Sequence, residues 1–176
     1  MTSTPTEQDD NEWEILTYPD PRLRIQSEPI VEITDDIRRK SLALMDLMHE
    51  AKGIGLAAPQ VDWHVRILAI NLSGQRRDGL IFLNPTIEHK SKATFAAQEA
   101  CLSVPDISGK VVRPREVVIN AMNLDGELNQ FELDGLLARC FLHEYDHLDG
   151  ILFIDRVSAA KKLSIKKKLQ KLRDSK

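Results

Sequence analysis

Residues 135–150 read GLLARCFLHEYDHLDG, and at their centre His143 and His147 stand four positions apart with Glu144 directly after the first. An α-helix turns once every 3.6 residues, so positions i and i+4 lie one above the other and two imidazoles can converge on one ion. Glu144 is rotated aside, near such an ion without ligating it. Leu136, Leu137, Cys140, Phe141, His143, Glu144 and His147 share one broad helical face, and Gly150 closes the helix. The five-residue pattern alone suits either a metal site or two histidines that share a helix face, so the rest of the chain has to decide.

A catalytic zinc-like ion takes three protein ligands and one water. In metallopeptidases that carry HExxH the third ligand is a downstream Glu or His, but residues 148–176 hold neither, only Asp149, Asp155 and Asp174. The third ligand is therefore sought upstream, among His49, His64, His89, Cys101, Cys140 and the carboxylates. Cys140 lies seven residues from His147, about 10 Å along a helix axis. That is too far for one sulfur to join an ion held by both histidines, so Cys140 reads as pocket wall or core. Cys101, in EACLSVP (99–105), sits in an extended segment; taken alone it reads equally as a buried structural cysteine.

Outward from these stretches, short strands surround two unlike helices. Thr34 or Asp35 can cap a helix over 36–51, with Ile37, Ser41, Leu44, Met45, Met48 and Ala51 as its stripe and Gly53 as its stop. VDWHVRILAINL (61–72) reads as a strand, and IFLNPTI (81–87) as a short one whose proline places it at an edge or bulge. VVINAMN and LNQFEL flank Asp125-Gly126, a favoured hairpin turn. Strands and helices do not alternate as βαβ units, so the expected class is α+β, with short antiparallel strands packed around a central HExxH helix.

The 176 residues, 42% hydrophobic and 29% charged, suit one globular domain and exclude fibrous or disordered classes. Two cysteines are too few for a disulfide framework and fit a reducing compartment. The polar, acidic start MTSTPTEQDDNEWE lacks the apolar run of a signal peptide, and no apolar stretch is long enough to cross a membrane. The expectation is a cytoplasmic protein with a disordered segment at 1–10, a catalytic unit at 11–158 and a basic helical tail at 159–176. The tail carries eight Lys or Arg against one Asp, a local +7 that leaves −10 for the remainder of a chain of net charge −3.

Three stretches, GIGLAAPQ (53–60), EACLSVP (99–105) and HEYDHLDG (143–150), occur in the order and spacing of the peptide deformylases, and YPDPRLR (18–24) and SGKVVRP (108–114) also resemble that family. The resemblance runs from about residue 13 to 157. It implies removal of the formyl group from the N-terminal formyl-methionine of newly made chains. Cys101, His143 and His147 would then hold one divalent ion, ferrous iron (Fe2+) first, with Zn2+ or Ni2+ able to replace it. Glu144 would move the proton, while the Gln60 side-chain amide and the Leu102 backbone N–H would receive the developing oxyanion. Gly53, Ile54 and Gly55 would line the peptide, and Ile54, Leu136 and Cys140 would form the methionine slot. The partners implied are nascent formyl-methionyl peptides and, through the basic tail, the ribosome.

The sequence departs from the family pattern twice, with Ala100 where a glycine is usual before the cysteine and Leu142 where glutamine often precedes HExxH. A glycine-only backbone angle at position 100 would cost alanine about 1–3 kcal/mol. Alternative readings are an HExxH metallopeptidase, or a weakly active relative that binds peptide N-termini.

Overall fold

A computed structural model describes residues 13–174; the segment expected to be disordered, 1–10, lies outside the described residues. The rest packs around helix α2 (Gly135–Leu148). From Ala138 to Leu148 every residue except Tyr145 is buried, including Arg139, Glu144, Asp146 and both histidines. A helix with so little solvated surface belongs inside a core.

Strands β1 (Gly55–Ala57), β2 (Ile67–Ile70), β3 (Leu80–Lys90), β6 (Glu116–Met122) and β7 (Leu128–Asp134) form an antiparallel sheet in the order β1-β2-β3-β6-β7. Strands β4 (Thr94–Cys101) and β5 (Val104–Pro114) pair only with each other, as a separate two-stranded sheet. Side chains alternate across a strand, and β2 shows the consequence. Leu68 and Ile70 join the α2 core with Phe82, Ile119 and Phe141, whereas Ile67 and Ala69 join Leu44, Met45 and Met48 of helix α1 (Asp35–Glu50). With both faces covered, the strand reads as a continuous apolar run. Phe82 meets the rings of Phe131 and Phe141 edge-on at 5.1 and 5.6 Å, a favoured aromatic geometry.

The α+β class is observed, with local differences from the sequence expectation. Helix α1 starts where its cap predicts, the Thr34 hydroxyl accepting the Ile37 N–H at 3.2 Å. Its stop is not Gly53 but Lys52, at φ 58°, with the Lys52 and Gly53 N–H groups donating to the His49 and Met48 carbonyls. The expected 61–72 strand shrinks to Ile67–Ile70, because Val61 closes a 3₁₀ turn and Asp62 turns left-handed at φ 64°. Strand β3 is central, and its proline is tolerated at a bulge between Leu83 and Thr86. There Asn84 (φ 47°) replaces the interrupted ladder by bonding both the N–H and the carbonyl of Ile30.

A third apolar cluster joins Leu16, Tyr18, Val104, Ile107 and Val111 to helices α3 (Phe153–Arg156) and α4 (Ala159–Asp174). Helix α4 is the expected basic segment. Ile165 is buried, Leu169 and Leu172 are partly so, and Leu163 faces solvent. The Arg173 guanidinium donates to the Tyr18 hydroxyl at 2.8 Å, pinning the far end of the helix. Among the described residues no helix is long and apolar enough to cross a membrane.

After α2 the chain turns through Gly150 at φ 69°, where an added Cβ would lie 2.5 Å from the Arg24 carbonyl oxygen. Gly150→Ala is therefore expected to destabilise the protein by about 2–4 kcal/mol. Urea unfolding checks this; an unchanged midpoint would mean that the Arg24 backbone yields to the methyl group.

Candidate active site

Cys101 is the last residue of β4, and the ladder changes register at it. Ala100 pairs with Ser108 but Cys101 pairs with Val104, so Pro105, Asp106 and Ile107 of β5 lie outside the ladder. A bulge of this kind re-aims neighbouring side chains. Here the Cys101 Sγ reaches within 3.2 Å of His147 Nε2. The sulfur and one ring nitrogen each of His143 and His147 all lie within 4.8 Å of one another. One thiolate and two imidazoles in that span suit a divalent transition metal with an open position.

Glu144 lies beside this cluster, 4% exposed, and its Oε2 is a buried oxygen without a hydrogen-bond partner in the protein. Burial, only partly countered by His143 and Arg113, pushes its carboxyl up to about 7. Gln60, expected as an oxyanion donor, is buried in the 3₁₀ turn Ala58–Val61. Its Oε1 accepts the Ala57 N–H at 2.8 Å, which turns the amide nitrogen toward Ser103 Oγ (3.0 Å) and Cys101 Sγ (3.6 Å). The orientation of this donor is thus set by its own acceptor.

Behind the histidines lies a buried ionic network. Glu99 accepts from Arg113 Nε at 2.6 Å and Nη2 at 2.9 Å, and from His143 Nδ1 at 3.0 Å. Arg113 also reaches Asp146 at 2.9 Å, and Arg156 holds that carboxylate from the other side. Burial works against the Glu99 charge, but the hydrogen bonds from Arg113 and His143 prevail and hold its pKa at about 2. His143 donates from Nδ1, which leaves Nε2 as its ligand atom. Burial would lower His143 too, yet its hydrogen bonds to Cys101 and Glu99 raise it, whereas burial holds His147 well below the ordinary histidine range.

The cluster opens into a cavity of about 650 Å³ whose lining includes Gly53, Ile54, Gly55, Gln60, Leu102 and Glu144. Close approach requires glycine at position 55 and leaves position 53 tight against the end of the Leu102 side chain. A Cβ on Gly53 would meet Leu102 Cδ1 at 2.9 Å, and one on Gly55 would meet Glu144 Oε1 at 2.4 Å. Leu136, expected in the methionine slot, is 57% exposed on the first turn of α2, and neither it nor Cys140 is among the lining residues. Cys140 is buried under β1, its sulfur 3.6 Å from the Ile54 carbonyl. The wall is completed instead by Val104, Pro105, Asp106 and Ile107.

Ala100 is not among the described residues of positive φ, so the feared strain is absent and its methyl lies on the cavity edge. Leu142 packs into the α2 core, where an apolar side chain suits. Sequence reasoning missed Glu99, Ser103, Arg113 and Asp146. All four adjoin or sit inside the quoted motifs, but their roles depend on contacts across 14 or more residues.

The two cysteines differ in environment. Cys101 is half-buried at the cavity, while burial raises the Cys140 thiol well above the ordinary cysteine range. Iodoacetamide added to chelator-treated protein should modify Cys101 at least about 10-fold faster than Cys140. Peptide mapping checks this, and equal rates would show that the α2–β1 contact opens.

The description "Polypeptide deformylase" fits residues 13–163 as a family. A peptide deformylase of Acinetobacter baumannii is 44% identical over 158 residues, 90% of each chain. Peptide deformylase 1 of Ralstonia nicotianae is 46% identical over 157 residues, 89% of this chain and 93% of its own. In three dimensions a Plasmodium falciparum peptide deformylase superposes with a TM-score of 0.88 at 39% identity, over 92% of this chain and 96% of the other. Motif order, the Cys–His–His cluster and matches over nearly the full length agree: the chain belongs to the polypeptide deformylase family.

Proposed function

We propose that this protein hydrolyses the formamide bond of N-formyl-methionyl peptides, releasing formate, at the cavity between β1 and β4. The observation that carries the reading is the Cys101–His143–His147 cluster with Glu144 buried against it, in a chain of the deformylase family. Cys101, His143 and His147 would hold one divalent metal ion, which when bound supplies Lewis acidity and a water of lowered pKa. Ferrous iron is our first assignment, with zinc and nickel compatible with the same donors.

The chain's own groups divide the remaining work. Glu144, with one free oxygen and a pKa near neutrality, takes a proton from the attacking water and hands it to the leaving amine. The Gln60 amide N–H is held toward Cys101 and donates to the formyl oxygen as it becomes anionic, together with the Leu102 backbone N–H. Strand β1 is an edge of its sheet, so a peptide can extend it alongside Gly53, Ile54 and Gly55. The methionine side chain would lie against Ile54, Val104 and Ile107.

The unstrained Ala100 removes the motive for a weakly active relative, and the placement of Cys101, upstream of the helix, disfavours a metallopeptidase. Residues 11–158 serve as the catalytic unit, and the substrate places its work in the cytoplasm. Because α4 turns Ile165 toward the body, its exposed lysines present a basic surface suited to ribosomal RNA phosphate.

Formate release from formyl-Met-Ala-Ser tests the reaction. Glu144→Ala should keep its metal and lose at least about 100-fold in kcat, because it moves protons without ligating. Cys101→Ala should lose the metal; full metal content in that variant would refute the ligand set. Replacing Lys166, Lys167 and Lys168 by Gln should sharply reduce co-sedimentation with ribosomes at low salt, leaving short-peptide hydrolysis unchanged. Undiminished co-sedimentation would remove the docking role.

A further inference from the structure

We infer that Arg139 is a positioning residue for the metal ligands, fixing the spacing between the strand that carries Cys101 and the helix that carries His143 and His147. The inference rests on the ligand set proposed above. The need for such a residue follows from topology. Strands β4 and β5 share no ladder with the five-stranded sheet, so no β-ladder to that sheet fixes where Cys101 lies relative to α2. Side-chain contacts between α2 and the two strands contribute directly to that distance.

Arg139 lies on α2 one turn before His143, is 4% exposed, and points its guanidinium into the two-stranded sheet. Nη1 donates to Glu99 Oε1 at 2.7 Å and to the Val111 carbonyl at 3.0 Å, while Nη2 donates to the Phe95 carbonyl at 2.7 Å. The guanidinium also lies over the Phe95 ring at 4.3 Å. One side chain from the helix thus grips both strands.

Arg113 runs the opposite way, from β5 to the Leu142 carbonyl and Asp146 of α2. The two arginines meet on the same oxygen, Glu99 Oε1, two residues before Cys101, while the other oxygen of that carboxylate holds His143. The thiol and the imidazole are therefore referred to one fixed point. A planar fork with several donors can satisfy acceptors on two strands at once, which a lysine ammonium cannot do in the same geometry. For folding alone, apolar side chains in place of Glu99, Arg113 and Arg139 together would fill the space without burying charges. The arrangement is suited to registering two layers, and loss of partners behind metal ligands typically weakens metal binding by about 10–100-fold.

The test uses the full chain loaded with Co2+. In the parent protein a thiolate-to-cobalt charge-transfer band that disappears in Cys101→Ala establishes the ligand set; without such a band that reading fails, and this one with it. Given the band, Arg139→Met should release Co2+ to a chelator at least about 10-fold faster, with a shifted visible cobalt spectrum. Arg139→Lys should fall between Arg139→Met and the parent. Phe131→Leu, in the five-stranded sheet, serves as a destabilised control and should keep the parent spectrum. A parent-like spectrum and release rate in Arg139→Met would overturn the inference. So would the same changes in Phe131→Leu, since they would mark general loosening. If Arg139→Met does not fold, Arg139→Lys decides, and parent-like release there overturns it.

Discussion

The buried carboxylate of Glu99 is the point on which the geometry of the site depends. Taking an ion of this kind out of water costs several kcal/mol, and the cost is offset only if its lone pairs are filled by well-placed donors. Two arginines and His143 supply them: Arg113 twice, Arg139 once and the imidazole once. These partners come from β5 and from two turns of α2, so satisfying one anion brings the layers that bear the thiol and the imidazoles into register. Removing a partner would cost about 3–5 kcal/mol, because a charge would be left buried and unpaired.

Two glutamates near the same metal site have opposite properties. Glu99 is saturated by cationic donors and stays ionised down to about 2, so it exchanges no proton near neutrality. Glu144 is as deeply buried but has no such clamp, and burial lifts it to about 7. Environments that push like groups apart assign their roles, one to hold a ligand and one to carry a proton. The close fit of Gly55 against Glu144 Oε1 keeps the second carboxylate in place without supplying a charge that would lower its pKa.

Backbone strain is absent at the expected place and present elsewhere. Position 100 is ordinary extended strand, whereas Lys52 and Asp106, both lining the cavity, take φ values of 58° and 60°. Lys52 is left-handed because it ends α1 in a motif that carries the chain directly into the glycines of the cavity wall. Asp106 is left-handed because the register change at Cys101 leaves Pro105–Ile107 outside the ladder. Both angles follow from the need to turn a regular element abruptly into the site.

The sequence by itself determined the elements whose signals are local. Helix α2 and its i, i+4 histidines, the Thr34 cap, the Asp125-Gly126 hairpin and the α+β class were legible because each depends on residues a few positions apart. The motifs also named Cys101, His143, His147, Glu144 and Gln60, all of which the fold gathers at one cluster and cavity. Leu136 lies exposed, and helical periodicity places it on the ligand face without telling whether the first turn is covered. The expected 61–72 strand failed because apolar composition does not reveal a left-handed residue at Asp62. Only the tertiary structure decided that α4 lies against the body, that Cys140 is sealed under β1, and that Glu99 joins two arginines from different elements. Those features rest on contacts between residues far apart in the chain, where side-chain reach and the cost of a buried charge select the arrangement and no local pattern records it.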